Sequence, residues 1–274
     1  MNNIKVWKNT SIMDEFSEGI EFTNRKAEAD IVLLGSKPIN LKDFEKLRGI
    51  FRAGVGIDNI PFEECKSRNI LVELPSEKTK NFLFEEAASF TVSLIMRMLF
   101  PDPEIKPPWK KSPREGLENK KALVIGLGNI GSRVKNKLEG IMSVTSYDIL
   151  DSKKSDLKNL ISEADILSLH IPSTAENINF FDYSMFKLMK KGAILVNTAR
   201  ANLVDEEELY KFIEQGKIKA AFDVFWEEPY NGKLIEFYPD RFYMTPHIAS
   251  STVDFLKGCR CDLDKMISRF TNDR

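Results

Sequence analysis

Histidine is the scarcest acid–base residue in this chain. His170 and His247 are the only two, so any imidazole chemistry has two candidates. Cysteine is nearly as rare. Cys65, Cys259 and Cys261 are too few and too scattered for a disulfide framework, and Cys259 with Cys261 lacks the second pair of a zinc site. Ordinary reduced thiols of a cytoplasmic protein are expected, and no metal. No apolar run approaches the roughly eighteen residues of a membrane span, and the opening MNNIKVWKN has no apolar core of a secretory signal. No membrane association is expected. One-sided charge is missing too: with 40 basic against 41 acidic residues, nothing marks nucleic acid or another polyanion as a partner. Repeats and low-complexity tracts are absent. What is present is 274 residues, 42% of them hydrophobic, enough for two modest domains and a well-buried core.

The most informative stretch is Lys121 to Ile149. It opens with the apolar run Ala122-Leu123-Val124-Ile125, of the length and branching of a buried parallel strand. Gly126, Gly128 and Gly131 follow in the spacing G-x-G-x-x-G, with Asn129 and Ile130 between the last two. From Ile130 the pattern suits a helix, with Val134 and Leu138 four residues apart. Val144 to Tyr147 reads as a second strand, and Asp148 stands at its end, seventeen residues beyond Gly131. The first glycine permits a tight turn, the second lets a pyrophosphate approach the backbone, and the third lets helix and strand pack closely. The helix N-terminus offers N–H groups and partial positive charge to phosphate. A carboxylate closing the second strand can accept both hydroxyls of an adenosine ribose. Order and spacing together point to dinucleotide binding. Asp148 favours NAD, because a carboxylate there repels a 2′-phosphate, while Lys153 and Lys154 leave NADP open.

The rest of the chain alternates strand and helix. Ile4 to Trp7 and Ala29 to Leu34 read as strands. Asn40 suits the cap of a helix through Leu47, with Leu41, Phe44 and Leu47 on one face. Ile50 to Arg52 is a strand that runs into a glycine-containing loop, Ala53 to Ile60. Pro61 suits the first turn of a helix to Arg68, and Leu71 to Leu74 is a strand stopped by Pro75. A long helix from about Asn81 to Leu99 is apolar nearly all round in its second half, as a helix buried between two domains would be. Residues 101–113 hold five prolines in thirteen positions, which excludes regular helix or central strand and marks a boundary. Beyond the glycine unit, Ala164 to His170, Ala193 to Asn197, Ala220 to Phe225 and Phe242 to Met244 read as strands. Tyr183 to Met189, Asp205 to Gln215 and Thr252 to Phe270 read as helices, with Gly216 as a C-cap. Such alternation implies an α/β fold, with parallel sheets covered by helices on both faces.

With these elements placed, the chain resembles the D-isomer-specific 2-hydroxyacid dehydrogenase family. The resemblance spans roughly residues 29 to 256. It rests on RAGVGIDNI (52–60), VIGLGNIG (124–131), ADILSLHIP (164–172), ILVNTARANLVDEEEL (194–209), and AFDVFWEEP (221–229) with TPHIASST (245–252). It implies two Rossmann-like domains: a flavodoxin-like substrate domain from residues 1–99 plus 251–274, and an NAD-binding Rossmann domain from 100–250. The activity implied is NAD-dependent hydride transfer between a D-2-hydroxy acid and its 2-keto acid, in a homodimer.

The resemblance also implies roles. Arg200 falls where a planar guanidinium captures the substrate carboxylate; by itself, an arginine after a strand is an ordinary surface salt-bridge partner. His247 falls on the acid–base position, and Glu228 on the carboxylate that orients the imidazole and stabilises its charged form. Asp223 matches the residue that meets the nicotinamide carboxamide. Thr198, Ala199 and Pro172 are expected beside the cofactor, with His170 either structural or lining the adenine side. Backbone N–H groups of Ala53, Gly54 and Val55 are expected to hold the carboxylate with Arg200.

Arg52 matches a substrate-contacting arginine of phosphoglycerate dehydrogenases, and Lys110, Lys111 and Arg114 lie near where that subgroup brings charge to a phosphate. A solvated linker is the plain alternative for the last three. The substrate therefore stays open between 3-phosphoglycerate and a glyoxylate, hydroxypyruvate or D-lactate type. NAD-sensing corepressors of the same family form a further class, disfavoured by the lack of an extra tail. Three departures stand out. Ala201 replaces the usual glycine after the arginine, the loop Ser76 to Asn81 is one residue longer than usual, and residues 100–120 and 149–163 are short, the first covering an arm used in dimer formation.

Overall fold

The structure, a computed structural model, describes residues 4–100, 113–150 and 157–272. The proline-rich stretch, Lys110 and Lys111, and Lys153 and Lys154 lie outside the described residues. The strands are β1 (Val6–Lys8), β2 (Ile31–Leu34), β3 (Gly49–Arg52), β4 (Leu71–Glu73), β5 (Lys121–Ile125), β6 (Ser143–Tyr147), β7 (Ile166–Leu169), β8 (Ala193–Asn197), β9 (Ile218–Phe222) and β10 (Phe242–Met244). The helices are α1 (Phe62–Ser67), α2 (Glu77–Leu99), α3 (Gly131–Glu139), α4 (Leu157–Glu163), α5 (Tyr183–Phe186), α6 (Glu206–Glu214) and α7 (Val253–Asn272). Two compact units result: Met1–Leu83 with Ser250–Arg274, and Phe84–Ala249. Among the described residues no helix is long and apolar enough to cross a membrane.

In the first unit, β1, β2, β3 and β4 pair in parallel in that order. On its other side β1 makes a single parallel bridge, Val6 with Phe22, where Val6 N–H donates to Glu21 O and Thr23 N–H to Val6 O, both at 2.9 Å. Counting that bridge as a strand reduced to one residue, the spatial order is the 2-1-3-4-5 of flavodoxin-like sheets. Val32, Leu34 and Ile50 join Leu41, Phe44 and Leu47 in one buried cluster. Gly49 lets α7 close on the sheet, since a Cβ there would stand 2.4 Å from Met266 Cε and 2.8 Å from Phe270 Cε2.

In the second unit the order is β10-β9-β8-β7-β5-β6, all parallel. The chain passes from β5 to β6 on one side and returns to β7 on the other. The topological switch point therefore lies between β5 and β7, where ligands of open α/β sheets bind. β6 forms one edge of the sheet among the described residues. Strand residues alternate between two cores. Leu123, Ile125, Leu167 and Leu195 pack with α4, α5 and α6 through Ile161, Phe186, Leu209 and Phe212. Ala122, Val124, Ile166 and Val196 pack on the opposite face with Val134 and Leu138 of α3 and Ala88, Leu94 and Ile95 of α2. Burying a leucine or valine side chain this fully is worth about 1.5–3 kcal/mol.

Several elements differ from the sequence expectation. Asn40 caps only a 3₁₀ turn, Leu41–Asp43, through a 3.1 Å bond from Lys42 N–H to its side chain; the backbone is extended again at Phe44, with φ −105° and ψ 101°. The stretch from Ser76 to Asn81 is no loop, because α2 already starts at Glu77 and Ser76 N–H is capped by Asp262 Oδ2 at 2.8 Å. β9 ends at Phe222, since Asp223 and Val224 turn into the site. Tyr183 to Met189 is helical only as far as Phe186, with Asp182 as its cap. The helix α4, with Leu157, Leu160 and Ile161 at helical spacing, was not anticipated.

Candidate active site

The glycine turn follows β5 directly. Gly126 has φ +95°, and a Cβ on it would lie 2.5 Å from the His170 carbonyl oxygen, so only glycine fits this turn between adjacent strands. At Gly131 an added Cβ would stand 1.9 Å from Gly126 O, which is why the N-terminus of α3 sits so close to the strand. Gly128 has nothing within 4 Å of where a Cβ would be, so its backbone is open to approach. Asn129 O accepts from Arg133 Nη1 at 2.5 Å, and Ile130 caps α3. Asp148 reaches back from β6: its Oδ2 accepts from Leu127 N–H at 2.6 Å and its Oδ1 from Leu150 N–H at 2.9 Å. It thus fastens the glycine turn and keeps lone pairs for hydroxyl donors. A positive φ, an open middle glycine, a helix N-terminus and a carboxylate at the second strand fit a dinucleotide.

His170 closes β7 beside this turn. Its N–H donates to Ile125 O at 2.7 Å, and its Nε2 lies 2.8 Å from Ser168 Oγ. Burial pulls its imidazole down to about 4, so it stays neutral at physiological pH. The Pro172 carbonyl accepts from Asn177 Nδ2 at 2.9 Å. Both histidine and proline shape the loop after β7.

At the end of β8, buried Asn197 holds the next turn at both ends. Its Oδ1 accepts from Ala199 N–H at 3.0 Å, and its Nδ2 donates to Arg200 O at 2.8 Å. Arg200 Nη1 donates to Ala199 O at 2.8 Å. Ala201 enters a 3₁₀ turn, Ala201–Leu203, and is not in the left-handed region, so this loop does not need the glycine usual there. Thr198 Oγ1 lies 2.8 Å from Thr91 Oγ1, whose hydroxyl also reaches Ala87 O at 2.7 Å. The carbonyl can only accept, so Thr91 donates to it and accepts from Thr198. Thr198 thereby presents lone pairs outward.

The third group lies beyond β9 and β10. Asp223 is 1% exposed and gathers three donors: Thr245 Oγ1 at 2.6 Å and Ile248 N–H at 2.9 Å on Oδ1, and Ala249 N–H at 2.9 Å on Oδ2. These bonds hold the turn that carries His247, whose φ is +54°. A non-glycine residue in that region costs about 1 kcal/mol or more, sustained only where neighbours over-determine it. His247 Nδ1 stands 2.9 and 3.0 Å from the two Glu228 oxygens. Glu228 Oε1 also accepts from Phe225 N–H at 3.2 Å, and Trp226 Nε1 anchors the loop on Val204 O at 3.1 Å. Glu227 points to solvent.

Burial raises the Glu228 carboxyl. The His247 hydrogen bond and charge, Phe225 N–H and the Arg200 charge outweigh it and leave its pKa lowered. Asp223 goes the other way, because burial prevails over its bonds from Thr245, Ala249 and Ile248. Beside Glu228 opens a cavity of about 480 Å³, walled by Phe225, Tyr230, Tyr238 and Met244.

In the first unit, Ala53, Gly54 and Val55 form a tight turn after β3. Ala53 N–H donates to Leu34 O at 3.0 Å and Gly54 N–H to Arg52 O at 2.8 Å. Arg52 is 6% exposed and directs its guanidinium at loop carbonyls. Arg114, in the second unit, lies over the Phe100 ring at 4.4 Å.

An imidazole clamped by a carboxylate, an arginine turn beside it and a glycine turn at the switch point of a doubly wound sheet are the features of a dinucleotide-binding unit with an acid–base pair beside it. Comparison with known proteins makes the class specific. Residues 102–249 match the D-isomer specific 2-hydroxyacid dehydrogenase, NAD binding domain, and the chain belongs to that family. It is 34% identical over 223 residues to a D-3-phosphoglycerate dehydrogenase of Archaeoglobus fulgidus, covering 76% of this chain and 42% of that one. To a hydroxypyruvate reductase of Thermotoga maritima it is 33% identical over 244 residues, covering 84% and 76%. The chain spans less than half the length of several D-3-phosphoglycerate dehydrogenases it matches. Its fold matches a D-lactate dehydrogenase from Aquifex aeolicus, complexed with NAD and lactic acid, with TM-score 0.82 and 24% identity over 98% of this chain and 96% of that one.

Sequence reasoning missed Asn197 and Thr91. Asn197 sits inside the quoted motif and had a findable signal, a polar residue closing an otherwise apolar strand. Thr91 had only the weak signal of a hydroxyl within the apolar half of a helix.

Proposed function

We propose that the chain is an NAD-dependent D-2-hydroxyacid dehydrogenase, interconverting a 2-hydroxy acid and its 2-keto acid. The observation that carries the reading is the His247–Glu228 pair, at 2.9 and 3.0 Å, on the turn that Asp223 organises. NAD, when bound, supplies the hydride acceptor at nicotinamide C4. Residues Gly126 to Gly131 and Asp148 hold it, and Thr198, Ala199 and Asp223 meet its nicotinamide end. With Nδ1 committed to Glu228, His247 uses Nε2 to take the C2 hydroxyl proton in oxidation, or to return it to the keto oxygen in reduction. Glu228 balances the charge that the imidazole gains. Arg200 offers the planar fork that a 2-keto acid's carboxylate requires. The cofactor carries the redox step, while the protein supplies orientation and charge.

The substrate-facing unit is Met1–Leu83 with Ser250–Arg274, and the cofactor-binding unit is Phe84–Ala249. A cytoplasmic homodimer is the setting we infer, supported by three cysteines that all remain thiols and by the family resemblance. NADH oxidation with pyruvate, glyoxylate, hydroxypyruvate and 3-phosphohydroxypyruvate tests the activity. Turnover of at least one supports it; binding of NADH with no turnover of any 2-keto acid replaces it with a cofactor-sensing role.

A further inference from the structure

Arg52 is nearly inaccessible, and three bonds from its guanidinium run to backbone carbonyls. Nε donates to Gly56 O at 3.0 Å, and Nη1 to Ala53 O at 3.0 Å and Leu34 O at 3.4 Å. Gly54 lies on the guanidinium itself: a Cβ there would stand 2.5 Å from Nη1 and 2.9 Å from Cζ. The far end of the loop is tied separately, with Asn59 Nδ2 donating to Gly35 O at 2.8 Å and Lys37 O at 2.9 Å. In a planar trans peptide the N–H points opposite to the C=O. Turning the Gly56 carbonyl onto the guanidinium therefore turns the Ile57 N–H away from it. One buried cation thus holds the Ala53 and Gly56 carbonyls on its own side. The Ala53 and Gly54 N–H groups are taken by Leu34 O and Arg52 O, so the backbone anion site is built from the Val55 to Ile57 stretch, with the Ile57 N–H turned outward.

We propose that Arg52 is a positioning residue for the Ala53–Ile57 loop, serving the carboxylate that every 2-keto acid carries, and not a contact for a substrate phosphate. This rests on the dehydrogenase reading for its substrate, but not for the loop itself. A phosphate held by Nε or Nη1 would have to break their bonds to three carbonyls in a buried setting, where an unpaired acceptor is costly, and Gly54 already packs on the guanidinium face. Whatever discriminates phosphorylated from unphosphorylated substrates lies elsewhere.

The test uses Arg52→Lys and Gly54→Ala in the full chain, each checked for folding by thermal unfolding. Lysine keeps the charge but cannot span the carbonyls; alanine pushes the guanidinium aside. KM for hydroxypyruvate and for 3-phosphohydroxypyruvate should rise by the same factor, about tenfold, with kcat and KM for NADH held. A purely structural role would instead lower kcat for both substrates together with the melting temperature, with KM unchanged, and would overturn the proposal. A KM rise confined to the phosphorylated substrate overturns the proposal. If the parent turns over no 2-keto acid, the dehydrogenase reading fails, and hydrogen exchange at Val55 to Ile57 still decides the loop claim. Faster exchange in both variants supports it, and unchanged exchange overturns it.

Discussion

His247 and Glu228 meet through one ring nitrogen and two carboxylate oxygens, Nδ1 lying 2.9 Å from Oε1 and 3.0 Å from Oε2. The shared geometry fixes the ring's orientation and leaves the opposite nitrogen for proton transfer. The pair is built from two loops: one is anchored by Trp226, and the other by the three donors of Thr245 to Ala249 on Asp223.

The pair makes acid stability depend on Glu228. Its carboxyl is lowered below the ordinary value of 4.5, so its contribution is complete above that value and is lost as pH falls through the lower folded pKa. The melting temperature of Glu228→Gln should lie below that of the parent at neutral pH, and the two should converge in acid. A difference that widens on acidification contradicts the assignment. Reduction of a 2-keto acid should slow in the same variant at neutral pH.

The glycines separate stability from binding. Gly131→Ala puts a Cβ against Gly126 O, a backbone clash, so both the melting temperature and NADH affinity should fall sharply. Gly128→Ala meets open space; its stability should match the parent while NADH affinity drops about tenfold or more. Fluorescence titration and thermal unfolding of both variants check this. Equal loss of stability in the two contradicts the account.

Much of this was legible beforehand, for identifiable reasons. β5, β7 and β8 are buried on both faces, so apart from Lys121, Ser168 and Asn197 their sequences are apolar, and each is followed at once by a residue of the candidate site, Gly126, His170 or Thr198. The first and third glycines are dictated by backbone collisions, which tolerate no substitute, whereas Gly128 faces open space. That the chain after Asn40 forms no helix beyond a 3₁₀ turn was not legible, because Leu41, Phe44 and Leu47 are buried from irregular backbone, and burial alone imitates helical periodicity. Arg52 shows a different limit: its bonds to the Gly56, Ala53 and Leu34 carbonyls depend on backbone placement that no sequence pattern displays. The hydroxyl chain from Thr198 through Thr91 depends on residues far apart in sequence.

That chain is itself testable. Thr91→Val keeps shape but removes the acceptor for Thr198 and should cost about 1–2 kcal/mol of stability, the range for a lost buried hydrogen bond. Urea denaturation measures it. An unchanged midpoint would show that the hydroxyls carry no weight.

Asp148 bears on cofactor choice. NADH should bind more tightly than NADPH, and Asp148→Ala should narrow the gap. NADH affinity should fall in part through loss of the bond from Leu127 N–H that steadies the glycine turn. Equal affinity of the parent for both cofactors refutes the assignment.

The central claim, that His247 moves the proton, is tested most directly by His247→Ala. Steady-state reduction of the parent's best 2-keto acid should show kcat lowered by about 10²–10⁴, while fluorescence titration shows NADH binding retained, because the glycine turn and Asp148 are untouched. Near-normal turnover with intact NADH binding would contradict it.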